Sequence, residues 1–208
     1  MSKTIDLLLT QLESTVIPLE KIAIIKSLGD NQMIQAIPIL IELLQDHHQG
    51  IVNSSAETLI KLAPESVTPL IKEYNQCIDQ NVQAQIVRIL ANIGDDRALD
   101  LLVEVVGVEI ANHCQGNVRR VAARGLGKMV TSQTEDTQIT KAVEKLIWGL
   151  LNTEDWGLRY ACALSLKEIA DHRISADYTN KINDIFITSL AQESDLIVRE
   201  RINLLINS

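Results

Sequence analysis

Asn117–Lys128 reads NVRRVAARGLGK, and Asp155–Ala170 reads DWGLRYACALSLKEIA. With Val118 set against Leu158, the two stretches share one pattern: Ala122 against Cys162, Leu126 against Leu166, Met129 against Ile169. Apolar residues at +4, +8 and +11 lie on one face of a helix that turns 100° per residue. Working outward, Val52, Val82 and Val198 take the same place, so the anchors are spaced 30, 36, 40 and 40 residues apart. Those three carry Ala56, Ile86 and Ile202 at +4, and Ile60, Leu90 and Ile206 at +8. A further apolar helix belongs to each anchor: residues 37–44, 67–74, 99–110, 142–151 and 182–190. A helix pair of this size cannot bury its apolar face alone and must stack on the next. The sequence therefore predicts an all-α chain of about five helix-pair repeats in one domain, 1–208, with residues 17–30 as the second helix of a capping unit.

Turn chemistry fits that pattern. Pro38 and Pro69 come early in first helices, where a missing N–H costs little. Gly29 and Gly94 follow apolar residues at second-helix ends and are expected as left-handed C-caps. The long polar link from Thr131 to Thr140 is expected as a mobile connector inside one solenoid domain.

The composition of the 208-residue chain is aliphatic, 46% hydrophobic but only 3% aromatic, which excludes collagen-like, low-complexity and disulfide-scaffold classes. At this length about 70% of the unfolded surface is buried, so no metal or disulfide staple is needed. A net charge of −8 opposes nonspecific binding to nucleic acid. The cysteines at 77, 114 and 162 are odd in number and lack CxxC spacing, which points to a reducing compartment. No signal peptide is read at the N-terminus, and the most apolar stretch, 99–111, is interrupted by Asp100, Glu104 and Glu109. A cytoplasmic location without a membrane span is the expectation.

The helical projection sends Ala122, Gly125, Leu126 and Met129 inward, and Arg120, Arg124 and Lys128 outward. On the equivalent helix Leu158, Cys162, Leu166 and Ile169 point inward, and Trp156, Tyr160, Ala163 and Lys167 outward. Second helices line the concave surface of such solenoids, where ligands and partners lie. From Ile110 to Thr134 there is no acid, yet Arg119, Arg120, Arg124 and Lys128 are present. Two readings stay open for this island, a solvated helix face and a carboxylate-binding patch. Arg119, Arg159 and Arg199 each follow an anchor. They read as a structural ladder, paired either at i,i+4 with Asp155 and Asp195 or between repeats.

His113-Cys114, inside Asn112–Asn117, places an imidazole beside a thiol in a loop ahead of a helix starting near Asn117. A helix N-terminus favours the thiolate, and the imidazole can carry a proton. The competing reading is a small half-buried cysteine beside a capping histidine. Cys77 and Cys162 read as structural. His47-His48 lacks a third ligand, so no metal site is expected. Gly125-Leu126-Gly127-Lys128 lacks the rest of a phosphate loop and is better explained by close helix packing.

The repeat layout resembles the HEAT family, whose solenoids are right-handed α-α superhelices. More specifically, the blocks at 117–128 and 155–170 resemble the phycobilin lyases of the E/F type, in particular the smaller F subunit. The segment 112–117 is similar to the motif of the isomerising lyase that serves the phycoerythrocyanin α subunit, where the motif's His and Cys are tied to isomerisation. The resemblance implies those roles for His113 and Cys114. It also implies attachment of phycocyanobilin, through a thioether, to a cysteine of a phycobiliprotein α subunit, with double-bond migration to phycoviolobilin. The bilin enters as substrate, no tightly bound cofactor is expected, an E-type subunit is the obligate partner, and phycobilisome assembly at the thylakoid surface is the setting.

A bilin is a conjugated plate bearing two propionates. Trp156 and Tyr160 are expected to stack on the plate, and Arg120 with Arg124 to meet the carboxylates. Two other readings stand beside this one: a non-isomerising phycocyanobilin lyase subunit for phycocyanin α, and a noncatalytic HEAT adaptor or chaperone for phycobilisome subunits.

Overall fold

Proline and glycine set the ends of several helices in this chain. A computed structural model describes residues 2–107, 113–131, 133–172 and 175–207, without the side chains of 2–4 and 113–116. Among the described residues there are twelve α-helices and no strand. They fall into two compact units, 1–93 and 94–208.

The first unit holds α1 (Ser2–Ser14), α2 (Pro18–Asp30), α3 (Ile37–Glu42), α4 (Gln49–Lys61), α5 (Val67–Gln76) and α6 (Gln80–Ile93). Pro18 and Pro38 open α2 and α3 from the first turn, as their fixed φ and missing donor favour. Helices α2, α4 and α6 pack in succession, with α1, α3 and α5 against them. Ile25, Leu28, Leu40, Leu59, Leu62, Leu70, Ile86 and Leu90 are fully enclosed between these layers. In α4 the inward stripe runs through Ile51, Ser55, Thr58, Leu59 and Leu62, while Ala56 and Ile60 are only half-buried. Val52 is buried as expected, and beyond it the inward line shifts by one residue, from Ala56 and Ile60 to Ser55 and Leu59. Small residues there admit α2: Thr58 Oγ1 donates to the Ile25 carbonyl at 3.3 Å. Gly29 corrects an expectation, because it lies inside α2 rather than at a left-handed cap. A Cβ on it would stand 3.0 Å from Thr58 Cγ2, so its job is close packing.

The second unit holds α7 (Leu99–Gly107), α8 (His113–Met129), α9 (Asp136–Leu151), α10 (Trp156–Asp171), α11 (Ala176–Gln192) and α12 (Leu196–Ile206). Gly94, directly after α6, has φ +73°, the left-handed cap conformation expected of it. Here α7, α9 and α11 are first helices of pairs, and α8, α10 and α12 second helices. Helix α10 packs on α8, α9, α11 and α12. That surround explains why Ala161, Cys162, Ala163, Ser165 and Leu166 are all buried. Ala163, expected outward from a two-sided helical wheel, is covered because α10 has neighbours on both flanks. The α8–α10 contact is close: a Cβ on Gly127 would come within 2.9 Å of Ser165 Cα.

The all-helical, paired architecture is the one the periodicity predicts. The described residues show six pairs, because α1 completes the capping unit begun by α2.

Candidate functional site

His113 and Cys114 stand at the first two positions of α8, not in a loop ahead of Asn117. The helix therefore runs through Gly116, whose cost of about 1 kcal/mol in a helix is offset by the packing of the turns that follow. The side chains of His113 and Cys114 lie outside the described residues.

About two turns further along α8, Arg120 reaches across to the next pair. Its Nη2 donates to Asp155 Oδ1 at 2.6 Å and its Nε to Oδ2 at 3.2 Å. Asp155 is also the N-cap of α10, accepting from the backbone N–H of Gly157 and Leu158 at 2.9 and 3.2 Å. Burial pushes the Asp155 carboxyl up, but the hydrogen bonds from Arg120, Leu158 and Gly157 outweigh it and hold the group below the usual aspartate range. The same guanidinium lies over the exposed Trp156 ring, 5.5 Å from its centroid. Gly157 leaves the room Arg120 needs, since a Cβ there would collide with the guanidinium.

Arg124 is likewise engaged: Nη1 donates to Ser165 Oγ at 3.0 Å and Nη2 pairs with Glu168 at 3.0 Å. Two of the island's four cations, Arg120 and Arg124, thus meet acids that the next repeat supplies. A ligand carboxylate could meet Arg120 or Arg124 only by exchanging with, or adding to, these partners. Tyr160, one turn after Trp156, carries a guanidinium too, that of Arg201 from α12 at 4.7 Å from the ring centroid. The structure brings Arg120, Trp156, Tyr160 and Arg201 together along the α8–α10–α12 side of this unit. Sequence reading missed Arg201. Its signal was an arginine between Ile197 and Leu204, at i,i+4,i+7 spacing and off the inward positions.

The arginines that follow the anchors form the expected ladder, with a different pairing rule. Arg119 Nε donates to the Val106 carbonyl at 2.9 Å, Arg159 Nη1 to the Thr153 and Glu154 carbonyls at 3.1 and 3.0 Å, and Arg199 Nε to the Glu193 carbonyl at 2.9 Å. Each therefore supplies donors to carbonyls at or just beyond the end of the first helix of its pair, which have no intrahelical partner. Asp155 and Asp195 are N-caps, not i,i+4 partners. Arg159 instead grips Glu193 of the next pair at 2.6 and 2.8 Å. A cleft of about 520 Å³ opens beside this pair, lined by Leu151, Trp156, Arg159, Gln192, Glu193 and Asp195 among others. Cys162 is sealed in the core, and burial pushes its thiol up to about 12, so it has no part in thiol chemistry at neutral pH.

Comparison with known proteins falls on the same side. The repeat family described as PBS lyase HEAT-like repeat matches residues 21–46 and 82–107. The bilin biosynthesis protein PecF of Mastigocladus laminosus is 44% identical over 199 residues, 93% of this chain and 90% of that protein. The PecF protein of a Nostoc species is 49% identical over 168 residues, 81% and 92% of the two chains. This chain belongs to the PecF-like bilin biosynthesis proteins, the F-subunit branch of the phycobilin lyases. The phycocyanin alpha phycocyanobilin lyase CpcF of a Synechocystis species is more distant, 26% identical over 95% of this chain. A solved structure of the complex of CpcE and CpcF of phycocyanin lyase from Nostoc superposes with a TM-score of 0.70 at 28% identity, covering 82% of this chain and 98% of its counterpart. The PecF-like chain thus has the helical-repeat fold of a bilin lyase subunit. Among its described residues no helix is long and apolar enough to cross a membrane.

Proposed function

We propose that this chain is the F-type subunit of a heterodimeric lyase that joins phycocyanobilin, through a thioether, to a cysteine of a phycobiliprotein α subunit. In this reading the bilin is isomerised to phycoviolobilin during transfer. The observation that carries the reading is identity of 44–49% to PecF proteins over 90–92% of their length, against 26% to the CpcF lyase of Synechocystis. The solved CpcE–CpcF complex supports an E-type partner. The second family match, 82–107, crosses the division between the two compact units and supports reading 1–208 as one repeat array. A cytoplasmic site at the thylakoid surface, where the antenna is assembled, belongs to the same proposal.

Isomerisation moves a double bond and consumes no oxidant, so a nucleophile and a proton carrier suffice. In the proposed step the Cys114 thiolate adds to the conjugated bilin and forms a C–S bond that interrupts conjugation. His113 takes a proton from one carbon and returns it at another, and expulsion of the thiolate restores the π system. The acceptor cysteine bonds to the ethylidene carbon and its proton ends further along the conjugated system, on the methine bridge, so that the migrated double bond stays within the ring and no atom is gained or lost. Both residues occupy the first turn of a 17-residue helix, whose positive end favours a thiolate. Trp156 and Tyr160 supply the stacking surface. Arg120 and Arg124, already paired with Asp155 and Glu168, serve the propionates through donors those acids leave open.

Reconstitution tests the proposal: the chain, an E-type partner, phycocyanobilin and an apo α subunit, followed by the absorption spectrum of the product. A covalent phycoviolobilin adduct is expected. Cys114→Ser and His113→Ala should keep some ligation and lose the shifted spectrum. A phycocyanobilin adduct from the unaltered chain would instead assign the non-isomerising activity, and no adduct at all would leave an adaptor.

A further inference from the structure

Arg201 differs from the other guanidiniums on the α8–α10–α12 side. Arg120 and Arg124 each meet a carboxylate of the following pair, at 2.6 and 3.0 Å. Arg201 is exposed, packs its guanidinium on the Tyr160 ring at 4.7 Å, and has no carboxylate within ion-pair distance among the described residues. On α12 it shares a face with Ile197 and Leu204, which are 63% and 60% exposed. Helix α10, which packs on α12, carries Tyr160 under Arg201 and the half-exposed Trp156 one turn before it. With its Cζ over the ring, 4.7 Å from the centroid, the guanidinium still offers a planar fork of N–H donors, which suits a bidentate carboxylate. The ring contact also holds the side chain in place before any ligand arrives, which lowers the entropy cost of binding.

We infer that Arg201, seated on Tyr160, is a carboxylate-binding residue of the bilin site and takes one propionate while the tetrapyrrole plate lies against Trp156 and Tyr160. The assignment rests on the bilin-lyase reading above. The surroundings select this ligand chemistry. Ile197, Leu204 and the two aromatic rings favour an apolar body attached to the anion, which inorganic phosphate lacks. In a chain of net charge −8, a propionate gains more from a cation without a carboxylate partner than from Arg120 or Arg124, which keep only the donors that Asp155 and Glu168 leave open.

The test uses the chain with its E-type partner and compares phycocyanobilin with its dimethyl ester, whose propionates carry no charge, by absorption titration. The unaltered complex should bind the diacid roughly tenfold more tightly, the scale of one charge-assisted contact. Arg201→Gln should remove most of that preference by weakening the diacid alone, leaving the ester unchanged because the aromatic surface is retained; the remainder belongs to the propionate that Arg120 and Arg124 serve. Arg201→Lys should restore part of it, since the charge returns without the fork. If Arg201→Gln keeps the full preference while Arg120→Gln or Arg124→Gln loses it, the Arg201 assignment is overturned and the bilin-lyase reading stands. If the unaltered complex binds neither compound, both fall together.

Discussion

Asp155 holds Arg120 from 35 residues away with the same Oδ1 that caps the first turn of α10. One carboxylate thus fixes a helix start and ties two repeats together, and it sets the guanidinium over Trp156. The two roles separate by substitution. Asp155→Asn keeps a cap acceptor and loses the charge, and should cost about 1 kcal/mol. Asp155→Ala loses both and should cost about 2–3 kcal/mol. Urea titration measures each, with the tryptophan emission shifting as Arg120 leaves Trp156. Equal costs for Asn and Ala would show that the cap contributes nothing here.

Cys162 is fully buried, with its thiol raised to about 12. Its sulfur would lie 2.7 Å from a Cβ placed on Gly149, so the site has no room for a reagent. Iodoacetamide at pH 8 should therefore label Cys77, which is half-buried, and leave Cys162 unmodified until urea unfolds the chain. Peptide mapping reads the difference. Labelling of Cys162 at the rate of Cys77 in the folded protein would contradict the enclosed position.

The repeat pattern was legible because core residues recur with the helical period, and a period survives even where one register slips, as at Ser55 and Leu59. The charge partners were not. Arg120 and Arg124 look like free cations in an acid-free stretch, but their carboxylates, Asp155 and Glu168, belong to the next repeat. A helical wheel has one inside and one outside, so it misplaced Ala163, which a second flanking helix covers. Tyr160 and Trp156 were legible as off-core aromatics, yet the arginine that each one carries comes from a different helix. The roles given to His113 and Cys114 come from family likeness, with no spacing that would require them.

Two glycines should respond oppositely to their surroundings. At Gly127 an added Cβ meets Ser165 backbone at 2.9 Å, and backbone cannot swing aside as a side-chain tip can. Gly127→Ala should force α8 from α10 and cost about 1–3 kcal/mol, despite alanine's better helix propensity. At Gly94 nothing lies within 4 Å of an added Cβ, but φ is +73°, so Gly94→Ala should cost about 1 kcal/mol through backbone strain alone. Gly94→Asn should recover part of that loss, since Asn tolerates the left-handed region, whereas no residue with a Cβ recovers Gly127. Thermal melts of the four proteins check the contrast.

Arg159 and Glu193 form the most enclosed ion pair among the described residues, with side chains 14% and 3% exposed. Burial raises the Glu193 carboxyl, but hydrogen bonds from Arg159 and the Asp195 N–H outweigh it and hold the group below the usual glutamate range. A carboxyl depressed in the folded state binds fewer protons there than in the unfolded chain. Its stabilisation is therefore complete above the ordinary glutamate value of 4.5 and is lost as the pH falls through the lower folded value. Glu193→Gln leaves Arg159 buried without its counter-charge and should cost about 3 kcal/mol at pH 7. Below pH 4.5 that cost should shrink steadily, because the unaltered chain is losing the same carboxylate. Urea unfolding of both proteins from pH 7 down to the acid limit provides the measurement. A gap that stays constant across this range would mean that shape, and not the charge on Glu193, holds α10 to the turn before α12.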